Sequence, residues 1–123
     1  MLRLDSLSLA NLREAYAAGT RPSELVAAIY DRIHGTPIGP AWIHLRPREE
    51  ALRACVEIET RSAAKQSFPL YGVPFGVKDN IDVAGMPTTA ACPAFSYTPE
   101  RSARSVELLL GAGAVCLGKT NLD

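Results

Sequence analysis

Lys78 lies inside an apolar, strand-like run: Gly72-Val73-Pro74-Phe75-Gly76-Val77-Lys78-Asp79-Asn80. An ammonium there is costly, because desolvation disfavours the charged form and draws the pKa down from its reference near ~10.4. A neutral amine can then accept a proton near neutral pH. Strand alternation puts Lys78 on the face of Gly76 and opposite Val77 and Asp79. Gly76 is expected to leave open space beside the lysine stem. Asp79, pointing the other way, need not neutralise it. The competing reading is a strand-end lysine that reaches solvent and pairs with a carboxylate.

Gly113-Ala114-Val115-Cys116-Leu117-Gly118-Lys119-Thr120 satisfies the phosphate-loop expression G-x-x-x-x-G-K-T. A working phosphate loop follows a strand, keeps its N–H groups free for phosphate and runs into a helix. Here a helical pattern comes before, and the four middle residues are themselves strand-like. A nucleotide-binding protein using Gly113 to Thr120 is therefore carried only as an alternative. Lys119 is expected to orient the structure near the loop that follows it. Cys92, in Thr88-Thr89-Ala90-Ala91-Cys92-Pro93, would need imidazole from His34 or His44 to act as a nucleophile. Nothing in the pattern brings either one near, so a structural thiol is expected. With no CxxC and no HxxxH, neither a metal nor an organic cofactor is expected. Three scattered cysteines argue against a disulfide framework and for a reducing, cytoplasmic setting.

These residues need elements to hold them. Ser8 is placed to cap a helix running to about Ala18, with Gly19 as its stop. Thr20 and Pro22 open a second helix with the stripe Leu25, Val26, Ile29 and Ile33, broken by Gly35, Pro37, Gly39 and Pro40. Residues 41–45 read as a short strand. Residues 48–62 read as a helix with Leu52, Cys55 and Val56 inward. Phe75 to Lys78 and Ala114 to Leu117 read as buried strands. Between them lie a long irregular segment, Asp82 to Pro99, and a helix from about Ser102 through Val106, Leu109 and Leu110 to Gly111 or Gly113. Strand, helix, strand suggests a parallel pair with a right-handed crossover. Thirteen Lys and Arg balance thirteen Asp and Glu, which leaves no electrostatic footprint for nucleic acid or an anionic membrane. No run approaches the ~20 apolar residues of a membrane span, and no secretory leader is read at the start.

Leu70 to Asp82 resembles the lysine-bearing block of the amidase signature family. Gly111-Ala112-Gly113-Ala114-Val115 with Gly118-Lys119-Thr120-Asn121 is similar to that family's next helix–strand block, at fitting spacing. Pro87 to Pro99 resembles the loop of the allophanate-hydrolase branch; many other amidases carry Gly-Ser where this chain has Ala91-Cys92. The resemblance implies an α/β fold, with leading helices over residues 1–68 and, over 69–123, the first strands of a mixed sheet flanked by helices. It implies amide hydrolysis by a Ser–cis-Ser–Lys triad, with Lys78 as the lysine and a small amide, allophanate, as substrate. The alternative within the family is the amidase-type component of a transfer-RNA-linked amidotransferase. Ser96, Ser102 and Ser105 lack the Gly-Ser-Ser-Gly context of the family's serines, so both serines are expected beyond Asp123. The chain is thus expected to be an inactive amino-terminal piece of a homo-oligomeric enzyme. Its strands are expected to lack outer neighbours.

Overall fold

The computed structural model describes residues 5–36 and 41–122. The breakers Pro37, Gly39 and Pro40 lie outside them. Among the described residues there are four α-helices, α1 (Leu9–Ala17), α2 (Pro22–Gly35), α3 (Arg48–Ala63) and α4 (Arg104–Gly111), and one 3-10 turn at Pro93–Phe95. Three strands, β1 (Trp42–Leu45), β2 (Pro74–Lys78) and β3 (Val115–Thr120), form one sheet in the order β1-β3-β2. β2 runs parallel to β3, and β1 runs antiparallel to it.

The ends of the helices follow local chemistry. Ser8 Oγ accepts the Asn11 N–H at 3.2 Å, a cap that contributes about 1 kcal/mol. Pro22 supplies the preset φ of a first helical turn, and Glu24 reaches back to the Arg21 N–H and guanidinium. α4 starts close to Ser102, as expected, but Ser102 does not cap it. Its Oγ accepts the Ala84 N–H at 2.9 Å, so it fastens the long segment instead, and the helix begins at Arg104.

Two cores sit on opposite faces of the sheet. One joins Leu12, Leu25, Val26, Ile29 and Tyr30 to Ala51, Cys55, Val115 and Leu117. The other joins Val77, Val83, Met86, Val106 and Cys116. Each large apolar side chain among them, when fully buried, contributes about 1.5–3 kcal/mol. Val56, expected inward on α3, is 51% exposed; that face belongs to Ala51 and Cys55. Two tyrosines tie the helices to the sheet: Tyr16 Oη donates to Gly72 O at 2.7 Å, and Tyr30 Oη donates to Arg46 O at 2.6 Å.

The last strand is not orphaned. β3 is the central strand, longer than the predicted 114–117, and Val115 and Leu117 are buried between neighbours from the same chain. Only β1 and β2 present sheet edges among the described residues. β3 also carries a bulge. Phe75 pairs with Cys116 but Gly76 pairs with Gly118, so Leu117 is the extra residue. Glycine is required there because a Cβ at Gly118 would stand 2.2 Å from His44 O.

Candidate active site

Lys78 is the last residue of β2, opposite Thr120 in the ladder. Its side chain is exposed, and among the described residues it makes no ion pair or side-chain hydrogen bond. The desolvated setting expected from the sequence is therefore not provided by these residues. The alternation does hold: Gly76 faces Thr120 and Trp42, while Val77 and Asp79 are buried on the other side. Gly76 is itself exposed, and the space expected beside it is bounded by Thr120 and Trp42. A Cβ there would meet Thr120 Cγ2 at 3.0 Å and the Trp42 ring at 3.4 Å.

The buried lysine is Lys119. Without the bulge, alternation would set Lys119 opposite Cys116; the extra residue instead brings both to the face of Val77 and Asp79. Both Lys119 and Asp79 are 0% exposed, and Lys119 Nζ lies 3.1 Å from Asp79 Oδ1. That contact is ionic and lies outside hydrogen-bond geometry. The ammonium donates to Pro87 O at 3.1 Å and to Thr88 Oγ1 at 3.2 Å, and the Asp79 carboxylate balances its charge. Asp79 Oδ2 accepts the Thr89 N–H at 3.2 Å and the Thr89 hydroxyl. Burial pushes the Asp79 carboxyl up, but the Thr89 bonds and the Lys119 ammonium outweigh it and hold the pKa below its ordinary value. An ammonium sealed from water against a carboxylate is in no position to take up a further proton.

The long segment folds over this pair. The Ala90 N–H donates to Asp79 O at 3.0 Å, and Thr88 exchanges backbone bonds with Tyr97 at 2.8 and 3.1 Å. Asp82 Oδ1 accepts from the Tyr97 hydroxyl at 2.6 Å and from Thr88 Oγ1 at 2.9 Å. These bonds hold Asp82 low and Tyr97 high. Ala90 and Ala91 both adopt left-handed backbone, φ 50° and 62°, each costing about 1–2 kcal/mol in a residue with a Cβ. The strained turn therefore stands where the loop bonds to the residue after Lys78.

Cys92 is partly exposed, and no hydrogen bond joins its thiol to His34 or His44. No group of three metal-ligating side chains occurs among the described residues. The Gly113–Thr120 run is β3 itself, with the Val115 N–H bonded to Val73 O at 2.8 Å. Those amides belong to the ladder of the central strand, where a phosphate loop would leave them free. This removes the nucleotide-binding alternative. A surface cleft of about 730 Å³ along α1 and the start of α2 holds none of the candidate residues. No helix among the described residues is long and apolar enough to cross a membrane.

Residues 24–123 match the Amidase family. The chain belongs to that family. Urea amidolyase of Saccharomyces cerevisiae is 48% identical over 99 residues, covering 80% of this chain and 5% of that protein. A glutamyl-tRNA(Gln) amidotransferase chain of Chloroflexus aggregans is 36% identical over 126 residues, covering 100% of this chain and 26% of that one. The solved structure of Kluyveromyces lactis allophanate hydrolase superposes with a TM-score of 0.72 at 41% identity, covering 89% of this chain and 18% of that one. The chain thus spans about a quarter or less of these relatives. The mixed sheet with its helices is the amino-terminal part of the amidase fold, as the sequence implied.

The sequence predicted the strand face of Lys78 but missed the Asp79–Lys119 pair. The signal was Gly118. A glycine inside an apolar strand marks a bulge, and a bulge changes which later residue faces inward.

Proposed function

We propose that this chain forms the lysine-bearing part of an amidohydrolase in which Lys78 is the general base, with allophanate, a small carboxylated urea, as substrate. The observation that carries the reading is the contrast between two lysines. Lys78 stands at the carboxyl end of a strand, open and without a carboxylate partner among the described residues, whereas Lys119 is locked to Asp79. The likeness to urea amidolyase and allophanate hydrolase supports the choice of substrate within the family.

In this mechanism a serine outside these 123 residues attacks the amide carbonyl. Its proton passes through a second serine to Lys78 Nζ. The lysine returns the proton to the leaving nitrogen and ammonia departs. Water then attacks the acyl-enzyme by the same route in reverse. Backbone N–H groups outside this chain stabilise the oxyanion.

The test is ammonia release from allophanate, malonamide and glutamine by the protein expressed from the complete reading frame. Lys78→Ala is expected to lower kcat by ~10²–10⁴-fold or more with KM little changed. Lys78→Arg should fail almost as badly, because guanidinium stays protonated. A folded Lys78→Arg enzyme keeping more than about a tenth of wild-type kcat would show that Lys78 is not the base. Turnover of glutamine but not allophanate would move the assignment to the amidotransferase side of the family.

A further inference from the structure

We propose that Asp79 and Lys119, with Thr89, are positioning residues for Lys78: they clamp the backbone directly after the base and fix the Pro87–Ala90 loop over the carboxyl ends of β2 and β3. The inference rests on the reading of Lys78 as the base.

Asp79 follows Lys78 without a spacer; its N–H, its C=O and one carboxylate oxygen are hydrogen-bonded, and the other oxygen faces the Lys119 ammonium. Its N–H donates to Thr120 O at 3.0 Å, and its C=O accepts from Ala90 N at 3.0 Å. Its carboxylate takes Thr89 on one oxygen and Lys119 on the other. Four consecutive loop residues are caught by this one pair: Pro87 and Thr88 by Lys119, and Thr89 and Ala90 by Asp79. The clamp points into the sheet's buried face, so it grips the backbone at the base while its charges stay away from the Lys78 side chain. That division matters chemically. A carboxylate on the same face as Lys78 would favour the ammonium and spoil the base; one on the opposite face holds the strand end without doing so.

A pair serving only the fold would be expected to affect stability alone. The clamp should affect kcat as well, because a proton acceptor must be held in line with its donor. Two variants are made in the complete enzyme beside Lys78→Ala. Thr89→Val removes the hydroxyl bond to Asp79 at nearly constant volume, with Thr89→Ser as the restoring change. The double variant Asp79→Asn/Lys119→Met removes both buried charges together. For variants with wild-type circular dichroism, kcat is expected to fall about 10-fold or more with KM within about threefold, since small misplacements cost up to 10²-fold. Thr89→Ser should recover most of the loss.

Thr89→Val is the variant that decides if the double variant does not fold, because Thr89 is only partly buried. A folded Thr89→Val enzyme with kcat within about twofold of wild type, and a changed melting temperature only, would overturn the clamp while leaving Lys78 as base. Full activity in Lys78→Ala would overturn the base assignment and the clamp with it. Loss of kcat in Lys78→Ala and Thr89→Val together, with rescue by Thr89→Ser, supports both.

Discussion

Two lysines on neighbouring strands have opposite surroundings, and the difference is measurable as acid sensitivity. Asp79 is held below its ordinary pKa, so its stabilising effect is present above the unfolded-state value of ~3.9 and is lost as pH falls through the folded value. Urea unfolding of the chain from pH 7 downward should therefore show stability dropping below about pH 4. In Asp79→Asn/Lys119→Met that part of the profile should flatten. Lys119→Met alone should be worse than the double change, by about 3–5 kcal/mol at pH 7, because it strands a buried carboxylate. The left-handed Ala91 offers the opposite kind of change. Ala91→Gly removes a Cβ from a positive-φ site and should raise stability by about 1 kcal/mol, read as an upward shift in melting temperature. No rise would mean that the strain is relieved by the surrounding loop.

At the scale of elements, the decisive irregularity is the bulge in β3. Gly118→Ala would drive a Cβ into His44 O at 2.2 Å, so β1 must separate from β3 or the bulge must be lost. Either outcome is expected to cost several kcal/mol, at or beyond the ~4 kcal/mol end of single substitutions. It should expose the Trp42 indole to quenchers in fluorescence. An unchanged spectrum and melt would show that the strands can shift apart cheaply. The same irregularity explains what the sequence disclosed. The caps, the apolar stripe of α2, and the β2 and β3 runs were legible because local chemistry and period set them: Ser8, Pro22, Leu25 and Ile29, Phe75 to Lys78. The face of Lys119 was not, because it depends on one extra residue in a strand whose partners lie about 40 and 75 positions away. The start of α4 fell near Ser102 as expected, at Arg104, while the Ser102 hydroxyl took a role that the sequence did not disclose. A hydroxyl before a helix caps either the helix or a passing loop, and tertiary contact with Ala84 chose the loop. Lys78 was visible as a residue type in a run, but its exposure depends on what stands against the sheet.

For the whole molecule, the apolar surface left open is the main fact. Phe95 is 73% exposed, Leu108 56%, Tyr97 53% and Val56 51%, and both β1 and β2 present unpaired edges among the described residues. Such surfaces favour association. The 123-residue chain alone is expected to sediment as concentration-dependent oligomers and to melt broadly. A compact monomer with a sharp cooperative transition would count against this. The same preparation is expected to release no ammonia from allophanate or malonamide, and turnover that Lys78→Ala abolishes would overturn that expectation.

The central position of β3 has a consequence for how the protein is made. Among the described residues β1 and β2 pair with β3 and not with each other, so neither has a ladder there until residues 115–120 exist. A ribosome adding about 5–20 residues per second leaves Trp42–Leu45 without a ladder for several seconds after it emerges. Once Pro74–Lys78 has followed, the nascent chain carries two unpaired strands and a half-built core of α1, α2 and α3 until β3 arrives. The arrangement that seats Lys78 at the end of β2 also makes the early chain a client for whatever shields exposed strands during translation.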